Sequence, residues 1–385
     1  MKNRIFNHQT PNPELNPGFK VHNTIELSKE KLLFNFDYLE KISGNTLLPV
    51  LKSNAYGHGI EQVAEILKER QFPYIAVNNY HEALRVRAVS SQPVLIMGAI
   101  DSRNADSLLY DGFTFMVQDT HFMEALGKTG KKLKIHIDID TGMKRYGLDV
   151  GHLDQLLSRL KQLPNLDIEG VSTHLADGDN PEVGFTKEQV TLFDKAVEKI
   201  VGEGYKPKWV HISNTPGLLK VKSKYANSFR AGIGLYGINP LDPADAGYAK
   251  LQRLKPVLEV ISAITFIREL KPGEGISYGR TWRAEKPTII GVLPLGYYEG
   301  IPRSLSNKGS VLHGATPLPI VGRICMNHLM VDITGANLKV GDKLTVISAN
   351  RQMPNSIEQM SQDFYFFSYG LLAKLNSDIR RVIVQ

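Results

Sequence analysis

The sequence predicts two domains, a parallel (β/α)8 barrel of the TIM type followed by a mainly antiparallel β domain. Eight short apolar runs alternate with helical patterns between about residues 47 and 237. A proline-containing segment begins at Asn239, and the strand-like runs beyond it have no long helices between them. The 385 residues are enough for two hydrophobic cores. We therefore expect an N-terminal extension over residues 1–23, a barrel over residues 24–250 and a β domain over residues 251–385.

The barrel is predicted from the order of its strands and helices. Its candidate strands are Leu47–Leu51, Tyr74–Val77, Pro93–Met97, Phe113–Val117, Leu133–Ile139, Ile168–Thr173, Trp209–Ser213 and Phe229–Leu235. Apolar residues at helical spacing lie between them, and a helix over Ser28–Ser43 precedes the first strand. Thr186 and Gln189 form a pattern typical of a capping box at the start of a helix. A doubly wound open sheet also fits this order, and counting strands does not distinguish the two folds.

The β domain is predicted from six runs without long helices between them. These runs are Val257–Phe266, Thr288–Pro294, Ser310–His313, Leu318–Val321, Leu329–Ile333 and Lys343–Ile347. A helix over about Phe364–Lys374 is expected near the end of the chain.

The composition is that of a globular protein, with 42% hydrophobic and 22% charged residues. The net charge is +7, but the basic residues are dispersed, which indicates a solvated surface and not a nucleic-acid site. No apolar run approaches the ~20 residues that cross a bilayer. The single cysteine, Cys325, cannot form an internal disulfide, and the first residues lack the apolar core of a secretory signal. We expect a cytoplasmic protein that binds neither nucleic acid nor membrane.

A lysine follows the first predicted strand, in the segment Val50-Leu-Lys52-Ser-Asn-Ala-Tyr56-Gly-His-Gly59. In a barrel this position lies at the carboxyl ends of the strands, where such folds carry their chemistry. Partial burial lowers the pKa of a lysine and yields a nucleophilic amine suited to forming an imine. The tyrosine hydroxyl and the glycine backbone suit a phosphate. Taken alone, the segment also fits an exposed lysine followed by an ordinary turn.

The segment around Lys52 resembles the cofactor-lysine motif of the alanine racemase family, a fold-type III group of enzymes that use pyridoxal 5′-phosphate (PLP). The resemblance continues in sequence order from about residue 24 to the C-terminus, which makes it specific. Its further motifs are Asp140-Thr-Gly-Met-Lys-Arg145, Thr173-His174-Leu-Ala, His211-Ile-Ser-Asn214-Thr215, Arg230-Ala-Gly232-Ile233-Gly-Leu-Tyr236-Gly, Leu254-Lys-Pro-Val, Ser277-Tyr278-Gly, Gly296-Tyr297, Pro302-Arg303 and Val321-Gly-Arg-Ile-Cys-Met326.

This resemblance implies racemisation of an amino acid by two bases, with L-alanine and D-alanine as the expected pair. Lys52 then holds the cofactor and moves a proton on one face of the substrate Cα. Tyr278 acts on the opposite face and is supplied by the partner subunit of a homodimer. Two such groups suffice, because racemisation removes a proton from one face and returns one to the other. His174 lies against the cofactor ring, and Arg230 donates to the pyridine nitrogen and keeps it unprotonated.

The resemblance also implies the ligand contacts. Cofactor binding falls to Lys52, Tyr56, His174, Asn214, Thr215, Arg230, the backbone amides of Gly232 and Ile233, and Tyr369. Tyr369 is placed by counting back from Arg381, and the aromatic cluster around it also fits a core. The substrate carboxylate is expected to bind Arg145 and the backbone of Met326. Tyr297, Arg303, Arg323 and Asp179 resemble residues of the access passage, with Tyr297 also near the substrate. No metal site is expected.

Four positions depart from the family pattern. Asp138 stands seven residues before Arg145, where the family often has a carbamylated lysine that aligns the arginine. Both groups are anionic, but aspartate is shorter. We expect activity to need no added CO2. Asn327 and Glu299 each stand where the family usually has aspartate, and Ala231 stands where it has proline. These departures bear on which amino acid is preferred.

Other functions are compatible with the same motifs. A racemase for serine, lysine or a broad range of amino acids uses the same chemistry, and one methylene of substrate is worth only ~1–3 kcal/mol. A decarboxylase of this fold type would not need Tyr278. A PLP carrier without turnover usually consists of the barrel alone. Replacing Tyr278 with phenylalanine distinguishes a racemase from a carrier. A racemase should lose turnover, whereas the PLP binding of a carrier should not change.

Overall fold

The computed structural model describes residues 20–220 and 222–385, which form two compact units. The barrel unit consists of residues 29–56 and 60–255. The β unit consists of the described residues up to Ser28, residues 57–59 and residues 256–385. The predicted N-terminal extension falls, up to residue 19, outside the described residues. The boundaries predicted from the sequence lie at residues 23 and 250, whereas the units divide the chain at residues 28 and 255. Strand β1 (Asn23–Ser28) belongs to the β unit because it pairs there.

Eight parallel strands form the barrel. They are β2 (Thr46–Pro49), β3 (Ile75–Val77), β4 (Val94–Ile96), β5 (Phe113–Val117), β6 (Leu133–Asp140), β8 (Leu166–Ser172), β9 (Trp209–Ile212) and β10 (Ser228–Ala231), and a short β7 (Leu148–Asp149) pairs with β6 alone. The eight pair in the order β2-β10-β9-β8-β6-β5-β4-β3. A parallel bridge between Val50 and Ala76 joins the two ends of this order. The barrel prediction is confirmed, and the open doubly wound sheet is wrong.

The barrel strands are short apolar runs because both of their faces are covered. Every residue of β3, β4 and β5 is buried, as expected for parallel strands between a packed interior and surrounding helices. The helices are α1 (Lys29–Ser43), α2 (Ile60–Leu67), α3 (Tyr80–Val89), α4 (Thr120–Lys128), α5 (Leu153–Leu160), α6 (Gly184–Gly202) and α7 (Tyr248–Leu251). Asn79 and Asp119 cap α3 and α4 through their side-chain oxygens.

Two local predictions in the barrel unit are wrong. The run Phe229–Leu235 does not continue as one strand, since β10 ends at Ala231 and residues 233–236 form a 3-10 turn that ends at Gly237 with φ of 88°. Thr186 and Gln189 form no capping box, since α6 begins at Gly184 and both residues lie inside it. Their side chains bind the loop that follows β8 instead.

The β unit contains three sheets. Its further strands are β11 (Leu258–Ala263), β12 (Phe266–Leu270), β13 (Gly275–Ile276), β14 (Trp282–Arg283), β15 (Thr288–Leu293), β16 (Ser310–His313), β17 (Thr316–Pro319), β18 (Leu329–Asp332), β19 (Lys343–Ile347) and β20 (Arg380–Val384). A six-stranded sheet has the order β17-β16-β19-β11-β1-β20, and smaller sheets have the orders β12-β15-β18 and β13-β14. All pairs are antiparallel except β1 with β20. The predicted mainly antiparallel character is confirmed.

The segment predicted as one C-terminal helix contains two. They are α8 (Ile357–Phe364) and α9 (Ser368–Ala373), and they are separated because Tyr365 adopts a left-handed conformation with φ of 55°. The run Val257–Phe266 likewise spans two strands, β11 and the start of β12. Within the described residues, no helix has the length and apolar character needed to span a membrane.

Candidate active site at the carboxyl ends of the barrel strands

Lys52 lies two residues beyond the bridge residue Val50, which directly follows β2, at the rim of the barrel. Its side chain is half-buried. Burial lowers the pKa of Lys52, the positive charges of Arg145 and Arg230 lower it further, and Glu82 acts in the opposite direction. A lowered pKa leaves more of the amine neutral at a given pH, which is the form that attacks a carbonyl carbon.

Arg230 lies on β10 with its guanidinium buried at the same rim. Nη1 donates to Nδ1 of His211 at 2.6 Å and to its carbonyl oxygen at 3.0 Å. Nη2 donates to the carbonyl oxygen of Thr173 at 2.7 Å and lies 3.3 Å from Nδ1 of His174. Burial lowers the pKa of Arg230 to about 10, so the guanidinium stays protonated at neutral pH. Four contacts therefore fix its plane.

These contacts determine the tautomers of two buried histidines. A guanidinium only donates, so Nδ1 of His211 must accept and its proton lies on Nε2. Nε2 of His211 then donates to Nδ1 of His136, 2.8 Å away. Burial lowers the pKa of His136 to about 4 and that of His211 well below its usual value. Gly170 on β8 makes room for this pair, since a Cβ there would lie 2.5 Å from the His136 ring. Arg230 is thus backed by neutral groups.

His174 follows β8 and is held by Gln189 on α6. Burial, with the positive charges of Arg230, Arg145 and Lys52, lowers its pKa to about 3, so the ring is neutral. The buried side chain of Gln189 donates to the carbonyl oxygen of His174 at 3.2 Å and accepts from the amide of Ala176 at 2.9 Å. Gln189 therefore supports the site, although the sequence pattern around it predicts a helix cap. The signal that distinguishes the two roles is a polar residue on the apolar face of α6.

Asp138 is a buried carboxyl on β6. It accepts a hydrogen bond from Oγ of Ser172 at 2.6 Å. Burial raises its pKa to about 6, while this hydrogen bond and the charges of Arg230 and Arg145 act in the opposite direction. The sequence predicts Arg145 as its neighbour, but the charge of Arg230 lowers the pKa of Asp138 more strongly than that of Arg145 does. The carboxylate is therefore an anionic neighbour of both arginines.

The residues predicted to bind a phosphate converge on the loop after β10. A Cβ at Gly232 would lie 2.5 Å from Oη of Tyr56, and one at Gly234 would lie 2.4 Å from the Thr215 side chain. Oγ1 of Thr215 accepts from the amide of Gly234 at 3.2 Å. Ile233 begins the 3-10 turn at this point. Backbone amides at the start of a turn, beside hydroxyl groups, form a suitable cradle for an anion.

Asn214 and Asp179 have different surroundings. Oδ1 of Asn214 accepts from the amide of Gly217 at 3.1 Å and so closes the turn after β9. This contact positions the loop that carries Thr215. Asp179 lies on the loop after β8, beside Asn180, whose side chain donates to Asp177. Lys220 donates to the Asn180 carbonyl oxygen at 2.6 Å and pairs with buried Asp245.

In the β unit, Tyr278 occupies a constrained and exposed turn. Its side chain is 67% exposed. The preceding residue, Ser277, has φ of 63°, a value that favours glycine. Its Oγ donates to the carbonyl oxygen of Arg323 at 2.6 Å, and a Cβ at Gly279 would lie 3.2 Å from Nη1 of Arg323. The Tyr278 turn and the loop of Arg323 and Met326 are therefore neighbours.

The loop around Tyr297 joins the same surface. The amide of Tyr297 donates to the carbonyl oxygen of Cys325, and the amide of Tyr298 donates to that of Met326. Nδ2 of Asn327 donates to Oε1 of Glu299 at 2.7 Å, while Oε2 of Glu299 accepts from the amide of Gly296, also at 2.7 Å. Two of the four departures from the family pattern therefore contact each other and tie these loops together.

Tyr369 and Arg303 lie on other elements of the β unit. Tyr369 is on α9, where its ring stacks on Phe367 with 5.0 Å between centroids. Arg303 begins the 3-10 turn Arg303–Leu305. Among the described residues, no group of three or more histidine, cysteine, aspartate or glutamate side chains could hold a metal ion.

Comparison with known proteins gives one consistent result. The family model for the N-terminal domain of alanine racemase matches residues 27–240, and the model for its C-terminal domain matches residues 257–383. Alanine racemase 2 of Caldanaerobacter subterraneus subsp. tengcongensis is 32% identical over 331 residues, covering 84% of each chain. The alanine racemase of Citrifermentans bemidjiense is 33% identical over 373 residues, covering 93% of this chain and 97% of its own.

A solved structure has the same architecture. The alanine racemase of Bacillus anthracis with bound L-Ala-P superimposes with a TM-score of 0.85 at 27% identity. The match covers 95% of this chain and 96% of that one.

Proposed function

The chain belongs to the alanine racemase family, and from this premise we propose that it interconverts L-alanine and D-alanine with PLP held at Lys52. The observation that carries the proposal is the cluster at the barrel rim. There a half-buried lysine of lowered pKa lies with a buried, protonated Arg230 and a neutral His174. The matched domains include both the barrel and the β unit that carries the second proposed base.

The residues at the rim fit PLP. Lys52 offers an amine for its aldehyde. The hydrogen bonds described for Arg230 use Nη1 and Nη2, so its Nε–H is available to the pyridine nitrogen. Gly232 leaves a space beside Tyr56 that a Cβ would fill, and the nearby amides and Thr215 suit the phosphate. When bound, PLP supplies an electron sink that makes the substrate Cα–H acidic.

The chain's own residues supply proton transfer and orientation. Nζ of Lys52 takes or returns a proton on one face of the substrate Cα, and Oη of Tyr278 does so on the other. Arg145 offers a cation for the substrate carboxylate, and Asp138 offers it an anionic neighbour. Arg230 keeps its proton, since its pKa of about 10 makes the guanidinium a much weaker acid than a pyridinium, so it donates a hydrogen bond without transferring the proton. This favours an unprotonated pyridine nitrogen, which limits side reactions such as transamination.

We further infer a homodimer in which Tyr278 of one copy completes the site around Lys52 of the other. The exposure of Tyr278, and of Met326 and Tyr297 beside it, supports this arrangement. Large apolar and aromatic side chains that cluster on a surface commonly mark an interface. A cytoplasmic location stays a prediction from the sequence.

Alanine is the proposed substrate because the relatives of this chain are named for it and the B. anthracis structure holds L-Ala-P. The experiment is to incubate the protein and PLP with a panel of single-enantiomer amino acids and to separate the products by chiral chromatography. Alanine should racemise fastest. Faster turnover of serine or lysine would replace the substrate while keeping the chemistry, and no racemisation of any amino acid would overturn the proposal.

A further inference from the structure

The segment that follows Lys52 has an unusual backbone. Ser53, Asn54, Ala55 and Tyr56 all have φ between 53° and 56°, and ψ is 47° to 50° for the first three. This is one turn of left-handed helix built without glycine. For such residues the left-handed conformation costs roughly 1–2 kcal/mol each. Strain of this size persists only where the surroundings hold the backbone in place.

Glu82 provides a direct hold on the start of this turn. Its side chain is buried. Oε1 accepts from the amide of Ser53 at 2.6 Å, and Oε2 accepts from the amide of Asn78 at 2.8 Å. A carboxylate that accepts two backbone amides in a buried position forms strong, charge-assisted hydrogen bonds. The two carboxylate oxygens of Glu82 therefore join the turn that begins at Ser53 to the residue that follows β3.

The position of Glu82 in α3 makes this contact a departure from the usual pattern. Asn79 is the N-cap, and its side chain accepts from the amide of Glu82 at 2.9 Å. In a capping box the glutamate at this position reaches back to the amide of the N-cap residue. Here the Glu82 carboxylate instead accepts from the amide of Asn78, the residue before the N-cap, and from the amide of Ser53. Sequence alone would assign Glu82 to helix capping.

The same helix also holds the middle of the turn. Oδ1 of Asn54 accepts from Nη2 of Arg85 at 2.9 Å and from the amide of Ile60 at 3.1 Å. Arg85 is fixed by Glu61, with contacts of 2.6 and 2.8 Å. Residues three apart lie on one face of a helix, so Glu82 and Arg85 grip the turn together.

We propose that Glu82 is a positioning residue that holds the left-handed turn and thereby sets the direction of Lys52 at one end and of Tyr56 at the other. This inference rests on the proposed function, in which Lys52 attaches PLP. Without the carboxylate, the turn relaxes toward ordinary backbone conformations. Lys52 then loses its placement relative to Arg230, and Tyr56 loses its place beside Gly232.

The test follows attachment of PLP to the cofactor-free protein. PLP is added, samples are quenched over time with sodium borohydride, and the reduced PLP–lysine link is located and counted by peptide mass spectrometry. The wild-type protein must carry the label on Lys52. A wild-type label elsewhere, or none, overturns the proposed function and this inference with it.

Given labelled wild-type protein, the variants test Glu82 alone. Glu82→Ala should slow labelling of Lys52 at least about tenfold, since it removes two charge-assisted hydrogen bonds. Adding Ser53→Gly should recover about fivefold, because glycine adopts the left-handed conformation without the ~1 kcal/mol penalty. Ser53 suits this change because its side chain is exposed. Glu82→Gln keeps the shape of the side chain and one acceptor oxygen, so its rate of Lys52 labelling should be intermediate. This variant replaces Glu82→Ala in the test if the alanine variant does not fold.

A matched control comes from Glu124, which lies on α4 and pairs with Arg159. Glu124→Ala should label at the wild-type rate. A wild-type rate in Glu82→Ala overturns the proposal. So does a slow rate that Ser53→Gly leaves unchanged, because Glu82 would then act through the packing of α3 and not through the turn.

Discussion

Nη1 of Arg230 donates to Nδ1 of His211 across 2.6 Å, and this contact links the rim of the barrel to its interior. Because Arg230 only donates, Nδ1 of His211 accepts and the ring is neutral. Its Nε2–H donates a hydrogen bond to His136. The positively charged Arg230 beside the proposed cofactor ring is therefore positioned by a hydrogen-bonded chain through His211 and His136. No carboxylate in the part of the chain that the structure describes is hydrogen-bonded to His211.

Replacing His211 with phenylalanine should destabilise the protein. The substitution keeps an aromatic ring but leaves a buried N–H of Arg230 without its acceptor, which costs about 1–3 kcal/mol. Urea unfolding of the cofactor-free protein measures the change. His121→Phe, at an exposed position on α4, is the control and should change the free energy of unfolding by less than about 0.5 kcal/mol. Equal effects of the two substitutions would contradict the role given to His211.

Stability should fall with acid below about pH 6.5, the ordinary pKa of an unfolded histidine. Burial lowers the pKa of His136 to about 4 and, with nearby positive charges, that of His174 to about 3; burial also lowers that of His211. Between the folded and unfolded values, the unfolded chain binds more protons, so the free energy of unfolding decreases as pH falls. Asp138 acts in the opposite sense, because its pKa is raised to about 6, but the three histidines outnumber it.

Urea unfolding at pH 7, 6 and 5 measures this slope. His136→Gln removes one of the buried groups and should reduce the slope by about 1 kcal/mol per pH unit. His121→Gln should leave it unchanged. Stability that rises toward pH 5 in the wild-type protein would show that the histidines are not buried in neutral form.

Asp138 should affect substrate binding through its charge. Asp138→Ala and Asp138→Asn should both raise the KM for alanine several-fold, because Arg145 loses an anionic neighbour. The asparagine variant keeps a partner for Ser172 and so isolates the charge from the hydrogen bond. Steady-state kinetics without added CO2 provide the measurement, with exposed Asp106→Asn as control. Unchanged KM in both variants would rule out the orienting role.

A mixture of two inactive variants should regain activity if Tyr278 acts on a second copy of the chain. Lys52→Ala removes one base and Tyr278→Phe the other. In a random mixture, half of the dimers combine the two chains, and each has one intact site, so activity should reach about a quarter of the wild-type value. Size-exclusion chromatography checks that the chains associate. Associated chains without recovered activity would place both bases within one copy.

Much of the fold follows from apolar patterning. The eight barrel strands are predictable because both of their faces are buried, which leaves continuous apolar runs such as Phe113–Val117. Strands β1 and β20 were not predicted, since their pairing joins residues more than 300 positions apart in the sequence, as in Thr24 with Arg380. The local sequence pattern of a strand does not indicate a pairing partner so distant in the chain.

The motifs predict the residues of the candidate site, but they do not predict the residues that position them. Arg230 and His174 stand in recognisable segments, and the structure brings them to the same rim as Lys52. The sequence patterns around Gln189 and Glu82 are typical of helix caps, and only the folded chain shows that these side chains bind other loops. The left-handed turn after Lys52 contains no glycine to signal it.

Exchange of the substrate Cα–H in D2O tests the two-base account most directly. The wild-type protein with PLP should exchange and invert both L-alanine and D-alanine, followed by NMR and chiral chromatography. Tyr278→Phe should still bind PLP at Lys52 and exchange the Cα proton of one enantiomer with retention, while inversion falls at least about a hundredfold. Inversion by Tyr278→Phe at the wild-type rate would contradict the account.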